Sequence, residues 1–334
     1  MSIFLYVGLV VVSVAITLGG CALFTNGIEW LGKRLKVPEG AVGSIFAAVG
    51  TTLPETSIPV IAIFFGDSPE KTEVGLGAIL GAPFMLSTLV LPILAVLLLV
   101  YARLGKRGAS FQLNYRDVQV DLRYFLLAYG AALGCAFIPS HTLHVIVAIA
   151  LIGLYVRYMM LKFASEDGGA GSDLDPLMFA PRSARPAYAL IGVQAAAGLG
   201  GLIAGAHLFV TAANALSAVM HVSPLMLALL IAPLATELPE MSNSFLWLYQ
   251  KKDTLAVGNV TGAMVFQGTF PVSVGLIGTT WTLAPTALAT MGLAMIACGL
   301  SLAQIIGKNG RWRPWMLMAG AALYVGFNVY ISLW

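Results

Sequence analysis

The pattern Thr-x-Leu-Pro-Glu-x-Ser occurs twice in this chain, from Thr51 to Ser57 and from Thr236 to Ser242, 185 residues apart. Both copies lie inside long apolar runs. A carboxylate in the middle of a bilayer costs at least about 2.5–3.5 kcal/mol on insertion scales, and such a residue faces a polar cavity or an ion path. Here the cost applies at Glu55 and Glu240, with a third carboxylate at Glu237. Each repeated glutamate directly follows a proline, which has no N–H to give and crowds the carbonyl four residues back. Pro54 therefore frees the Gly50 carbonyl and Pro239 that of Ala235. Carbonyls, carboxylates and the hydroxyls of Thr51, Thr52 and Thr236 make an oxygen-rich cluster, and hard cations such as Ca²⁺ and Na⁺ take oxygen ligands. The neighbouring Ser57 and Ser242 add hydroxyls to each copy.

The elements that must hold these residues are membrane helices. Of 334 residues 59% are hydrophobic and 10% charged, against about 25% charged in a soluble domain. A spanning helix needs about 20 apolar residues. Apolar runs predict ten spans, at 3–31, 40–65, 73–101, 120–139 and 142–163, then 187–219, 223–249, 254–279, 284–306 and 314–333. The run after Ile3 lacks a basic leading region and a small-residue cleavage site, so it reads as a retained first helix. The three cysteines, Cys21, Cys135 and Cys298, lie in apolar runs and read as buried small hydrophobes, with no disulfide or metal spacing. Between the fifth and sixth spans runs a Gly-, Asp- and Pro-rich linker. The expected division is a first repeat at 1–164, a cytoplasmic linker at 165–186 and a second repeat at 187–334.

The basic residues test this reading. With both termini outside, all of the 18 lysines and arginines except Lys71 fall inside, as the positive-inside rule requires. Five spans per half place the halves in opposite orientations, the geometry of inverted-repeat transporters. The halves also match at the same offset outside the Pro-Glu cores: Leu23-Phe24 with Leu208-Phe209, and Val37 with Val222. The expected fold is thus an all-α integral membrane protein of about ten transmembrane helices, in two inverted five-helix repeats with broken helices at the central site.

Gly50-Thr51-Thr52-Leu53-Pro54-Glu55 and Ala235-Thr236-Glu237-Leu238-Pro239-Glu240 resemble the G-T-S-L-P-E cores of the two alpha repeats of sodium/calcium exchangers, in the calcium/cation antiporter superfamily. The likeness covers nearly the whole chain and is that of a divergent, prokaryotic-type member. It implies alternating access at a central four-helix site and exchange of Ca²⁺ against Na⁺ or H⁺, with no cofactor. Carried over by position, it implies that Thr51, Glu55, Thr236 and Glu240 bind the ion, with Glu55 and Glu240 as its carboxylate ligands and Thr52 keeping the hydroxyl of the family's serine.

The third and eighth spans depart from the family's G-N-x-x-G-S-N. Gly77-Ala78-Ile79-Leu80-Gly81-Ala82-Pro83 lacks both asparagines, and its later polar position falls near Leu86, with Ser87 beside it. In Gly258-Asn259-Val260-Thr261-Gly262-Ala263, Asn259 is kept, and Gln267 stands where the family has Asp or Asn. Ser87, Asn259 and Gln267 are therefore expected to tune selectivity. Glu237 replaces a serine and is expected either to compensate for the missing eighth-span carboxylate or to point away and pair elsewhere. Close to Glu240, it would raise the pKa of one of the pair and favour proton coupling.

Other polar residues carry blander expectations. Glu29 and Lys33 have the spacing of a local ion pair. Asp67 and Glu73 lie toward the outside, where they would draw cations or simply be solvated. His141, His144 and His207 read as packing residues, two histidines being too few for a metal site. No metalloprotease or nucleophile-elbow motif marks an enzyme, and nothing points to nucleic acid. The partners expected are transported cations and the bilayer of a prokaryotic inner membrane, for a monomer-competent chain. The alternatives are an antiporter for Mg²⁺ or Mn²⁺, a passive cation channel and a non-transporting scaffold.

Overall fold

The computed structural model describes residues 3–35, 47–165, 175–183, 185–307 and 312–332, and these are helical with no strand among them. In chain order come α1 (Ile3–Arg34), α2 (Ala47–Phe64), α3 (Pro69–Met85), a π-helical turn (Leu86–Val90), α4 (Leu91–Arg103), α5 (Tyr115–Cys135), α6 (His141–Ser165) and α7 (Tyr188–Met220). They are followed by α8 (Pro224–Thr236), α9 (Leu238–Tyr249), α10 (Asp253–Gln267), α11 (Phe270–Gly278), α12 (Pro285–Gly307) and α13 (Pro314–Ser332). Among the described residues seven stretches are long and apolar enough to cross a membrane: Ile3–Arg34, Pro69–Arg103, His141–Lys162, Tyr188–Met220, Asp253–Gly278, Pro285–Ile306 and Pro314–Ile331. Pro54–Phe64 and Pro224–Leu234 are shorter apolar helices. Large apolar side chains such as Phe4, Ile149 and Val325 stand exposed on them, the surface that a hydrocarbon solvent requires. The fourth predicted span is helical from Tyr115, so its first turns carry Arg116, Asp117, Asp121 and Arg123.

Two compact units form, and they do not follow the chain halves: Met1–Gly75 with Arg157–Pro224, and Leu76–Val156 with Leu225–Trp334. The first is built on α1 and α7, with α2 packed on both. Helices in lipid gain nothing from hiding apolar surface from each other, so close backbone approach must hold them. The two long helices meet through glycine. A Cβ at Gly20 would fall 2.4 Å from the Leu202 backbone nitrogen, and one at Gly198 would fall 2.3 Å from that of Phe24. At one end of this pair the segment 175–183 is seated on both helices. The Asp175 carbonyl accepts from the Trp30 indole at 2.9 Å, the Met178 amide donates to Asn26 Oδ1 at 3.1 Å, and the Phe179 amide donates to Gln194 Oε1 at 2.8 Å. Gln194 in turn donates to Asn26 Oδ1 at 2.9 Å, and Leu177 is buried against Trp30 and Ile191.

In the second unit α3 and α8 touch in the same manner: a Cβ at Gly77 or Gly81 would fall 2.4 Å or 2.1 Å from the carbonyl oxygens of Leu225 and Leu229. The π-helical turn follows Pro83, which removes one rung of the ladder. There the Ser87 hydroxyl donates to the Pro83 carbonyl at 2.7 Å and the Thr88 hydroxyl to that of Phe84, so side chains take carbonyls that the widened turn releases. The α9–α10 hairpin is clamped at its tip. Arg107 donates to the Leu248 carbonyl at 2.8 Å and is ion-paired with Asp253, both side chains being almost wholly buried. The Gln112 amide adds a hydrogen bond to Asp253 at 2.8 Å. At the end of α5 the His144 Nε2 lies 3.0 Å and 2.9 Å from the carbonyls of Cys135 and Ile138, the packing role expected of it.

Candidate functional site

The seventh predicted span is broken at one residue. α8 ends at Thr236 and α9 begins at Leu238, with Glu237 between them at φ −81°, ψ −4°. The amide of Glu237 still donates to the Pro233 carbonyl and its own carbonyl accepts from Met241, both at 2.9 Å. The rung that fails is the one from Pro239 to Ala235, which the imino acid cannot supply. Pro239 falls at the start of α9, where a missing N–H costs nothing. Glu240 thereby lies in the first turn of α9, where the helix dipole favours a carboxylate. The side chains of Glu240 and Ser242 lie outside the described residues.

Glu237 is fully buried, and the Gln267 amide donates to its Oε1. Gln267, also buried, is the last residue of α10, immediately before the interruption at Gly268–Thr269 that separates α10 from α11. The breaks of the seventh and eighth predicted spans are thus joined by one side-chain bond. The Gln267 Oε1 is buried without a hydrogen-bond partner among the described residues. A carboxylate with an amide carbonyl oxygen beside it supplies hard oxygen ligands of the kind Ca²⁺ takes. Glu237 is thus hydrogen-bonded to the eighth predicted span, through Gln267. Nearly two turns into α9, Ser244 is buried and accepts from Asn259 Nδ2 at 3.0 Å. Asn259 and Gln267 therefore both turn toward the α8–α9 segment.

The first copy of the motif differs in backbone. α2 continues from Ala47 to Phe64 through Pro54 and Pro59, so the helix break expected at Pro54 is absent from the described residues. Pro54 removes one rung without ending the helix. Glu55 is buried at 6% exposure in an apolar helix. Thr51 and Thr52 lie on this helix, and their side chains are outside the described residues. Ser57 donates to the Pro54 carbonyl at 3.0 Å, and Thr236 to the Ala232 carbonyl at 3.1 Å. Together with Ser87 they share one arrangement: the hydroxyl proton is spent on the residue's own helix, leaving the oxygen an acceptor only, which is the state a cation ligand requires. Glu55 belongs to the first unit, and Glu237, Glu240, Asn259 and Gln267 to the second.

Asp121, on α5, is fully buried and accepts from Thr261 Oγ1 at 2.6 Å. The sequence does not single it out because it stands next to the predicted start of the fourth span, among flanking charges. Glu29 and Lys33 do not pair; the Lys33 ammonium lies 5.1 Å over the Trp30 ring instead. Asp67 is bonded to Lys71 at 2.7 Å, and that hydrogen bond holds its exposed carboxyl below the usual carboxylate range. Its charge is thus partly matched at the place where it was expected to draw cations.

The sequence profile of the family described as sodium/calcium exchanger protein matches residues 5–164 and 191–333. A candidate antiporter named CaxA, from Alkalimonas amylolytica, is 23% identical over 337 residues, covering 98% of this chain and 97% of its own. Among solved structures, the H⁺/Ca²⁺ exchanger CAX aligns with a TM-score of 0.72 at 14% identity, over 98% of this chain and 81% of its own. The sodium-calcium exchanger NCX_Mj aligns with a TM-score of 0.56 at 19% identity, over 99% of both chains. The fold is that of these membrane exchangers. With the profile matched on both sides of the linker and a buried glutamate in each Pro-Glu region, the chain belongs to the sodium/calcium exchanger protein family.

Proposed function

We infer that this chain is a secondary active cation antiporter that exchanges Ca²⁺ against Na⁺ or H⁺ by alternating access. The observation that carries this reading is the buried Glu237 at a one-residue helix break, hydrogen-bonded to Gln267 at the next break. Glu55 and Glu240 hold the ion as carboxylates, with hydroxyl oxygens from Thr51, Thr52 and Thr236. Glu237 takes over the acidic function that the eighth span lacks, and Ser57, Ser87, Ser242, Asn259 and Gln267 set the preference among cations. Ten spans in two inverted repeats, 1–164 and 187–334, with both termini outside and the 165–186 linker in the cytoplasm, place the two Pro-Glu motifs in opposite orientations. The basic residues support this orientation.

The test is flux in proteoliposomes. Vesicles loaded with Ca²⁺ are given a Na⁺ gradient and then an H⁺ gradient, with wild type, Glu55→Gln and Glu240→Gln compared. One gradient is expected to drive Ca²⁺ flux, with both variants inactive. Flux that needs no counter-ion identifies a channel, and movement of Mg²⁺ or Mn²⁺ alone identifies a different cargo.

A further inference from the structure

α10 is held from two sides. Toward α9 it presents Asn259, bonded to Ser244, and Gln267, bonded to Glu237. Asn259 and Gln267 are eight residues apart, so at 3.6 residues per turn they share one side of the helix. Thr261 is two residues from Asn259 and stands on the opposite side, where its hydroxyl donates to the buried Asp121 carboxylate of α5 at 2.6 Å. The Val257 carbonyl lies 3.1 Å from the same hydroxyl, so Thr261 has an acceptor in its own helix and does not need Asp121 for its own satisfaction. Asp121 is a fully buried carboxylate, and burying such a group is costly unless it is hydrogen-bonded.

What such a bond does follows from helix geometry. Hiding apolar surface gives a helix in lipid no preferred rotation, because neighbouring helices and lipid tails are equally apolar, so packing and interhelical hydrogen bonds must set it. A turn of about 20° carries a side-chain tip at about 5 Å radius through roughly 2 Å, enough to break the bonds of both Asn259 and Gln267. An interhelical bond on the far side resists that turn.

We propose that Asp121 is a positioning residue for ion binding: its bond with Thr261 fixes the rotation of α10 and thereby aims Asn259 and Gln267 at the acidic break of Glu237. The proposal rests on the antiporter reading and assigns Asp121 no contact with the ion. It requires a hydrogen-bond acceptor at 121, not a charge.

The experiment is isotopic Ca²⁺/Ca²⁺ exchange in proteoliposomes without an imposed gradient, giving KM and maximal rate, with Sr²⁺ as competitor and thermal unfolding as the control for folding. Absence of exchange by wild type would refute the antiporter reading, and Ca²⁺-dependent thermal stabilisation of the protein in detergent then still reports the effect of Asp121 on binding. Thr261→Val and Asp121→Leu are expected to raise KM about threefold, the effect of one interhelical hydrogen bond in a membrane, with maximal rate retained and Ca²⁺/Sr²⁺ discrimination weakened. Asp121→Asn restores wild-type KM, and the double variant is no worse than either single one. An unchanged KM in Asp121→Leu with lowered thermal stability reduces the residue to packing and overturns the proposal. An Asp121→Asn variant as impaired as Asp121→Leu overturns it too, because the charge itself is then what matters.

Discussion

Gln267 donates its amide hydrogen to Glu237, so the residue that ends α10 is bonded to the residue that separates α8 from α9. Each of these helices stops where its ladder is interrupted, and the two interruptions stabilise one another. Removing either side chain takes this hydrogen bond from the other, which is itself buried.

Glu237→Gln keeps the shape and removes the charge. A hydrogen bond to a charged group contributes about 1.5–3 kcal/mol, and a cation ligand loses its counter-charge as well. The expected outcome is a rise in KM for Ca²⁺ of about tenfold or more, with altered discrimination among divalent cations. Unchanged KM, selectivity and pH dependence would show that Glu237 does not substitute for an eighth-span carboxylate.

The clamp on the α9–α10 hairpin makes a stability prediction. Arg107→Ala strands the buried Asp253 carboxylate and uncovers the Leu248 carbonyl. Breaking one side of a buried ion pair costs about 3–5 kcal/mol, so thermal unfolding in detergent should shift down by several degrees. The shift should be nearly independent of added salt, because a pair this deeply buried is poorly screened. A strongly salt-dependent shift would contradict the burial.

The glycine contact between α1 and α7 predicts a contrast between two neighbouring positions. Gly198→Ala drives a Cβ to 2.3 Å from the Phe24 backbone, whereas Gly200→Ala meets nothing within 4 Å. The first should lower stability by about 1–3 kcal/mol as overpacking does. The second should stay within about 0.5 kcal/mol. Equal effects, measured by thermal unfolding, would refute the close contact.

Much of this is legible in the sequence because it is local. The apolar runs announce the helices, and a proline three residues after Thr236 announces the break at Glu237. The same argument misplaces a break at Pro54, where α2 carries two prolines without ending; neighbours decide whether a missing rung ends a helix. What is not legible depends on distant partners. Nothing near Asp121 names Thr261, 140 residues away, and nothing near Arg107 names Asp253. The compact units escape linear reading for the same reason. Glycines along α1 look like ordinary small residues until α7 is laid against them.

Trp30 and Asn26 on α1 bond with Asp175 and Met178, and Gly20 is closed over by Gly198 and Leu202. All of Leu76–Val156, part of the other unit, is synthesised between these partners. At about 5–20 residues per second on the ribosome, α1 waits roughly 10–35 s in the bilayer before its mate exists. During that interval its bare glycine face and its buried-to-be Asn26 are open to any passing helix. Assembly of the exchanger therefore has a built-in delay, set by the length of chain between the two helices.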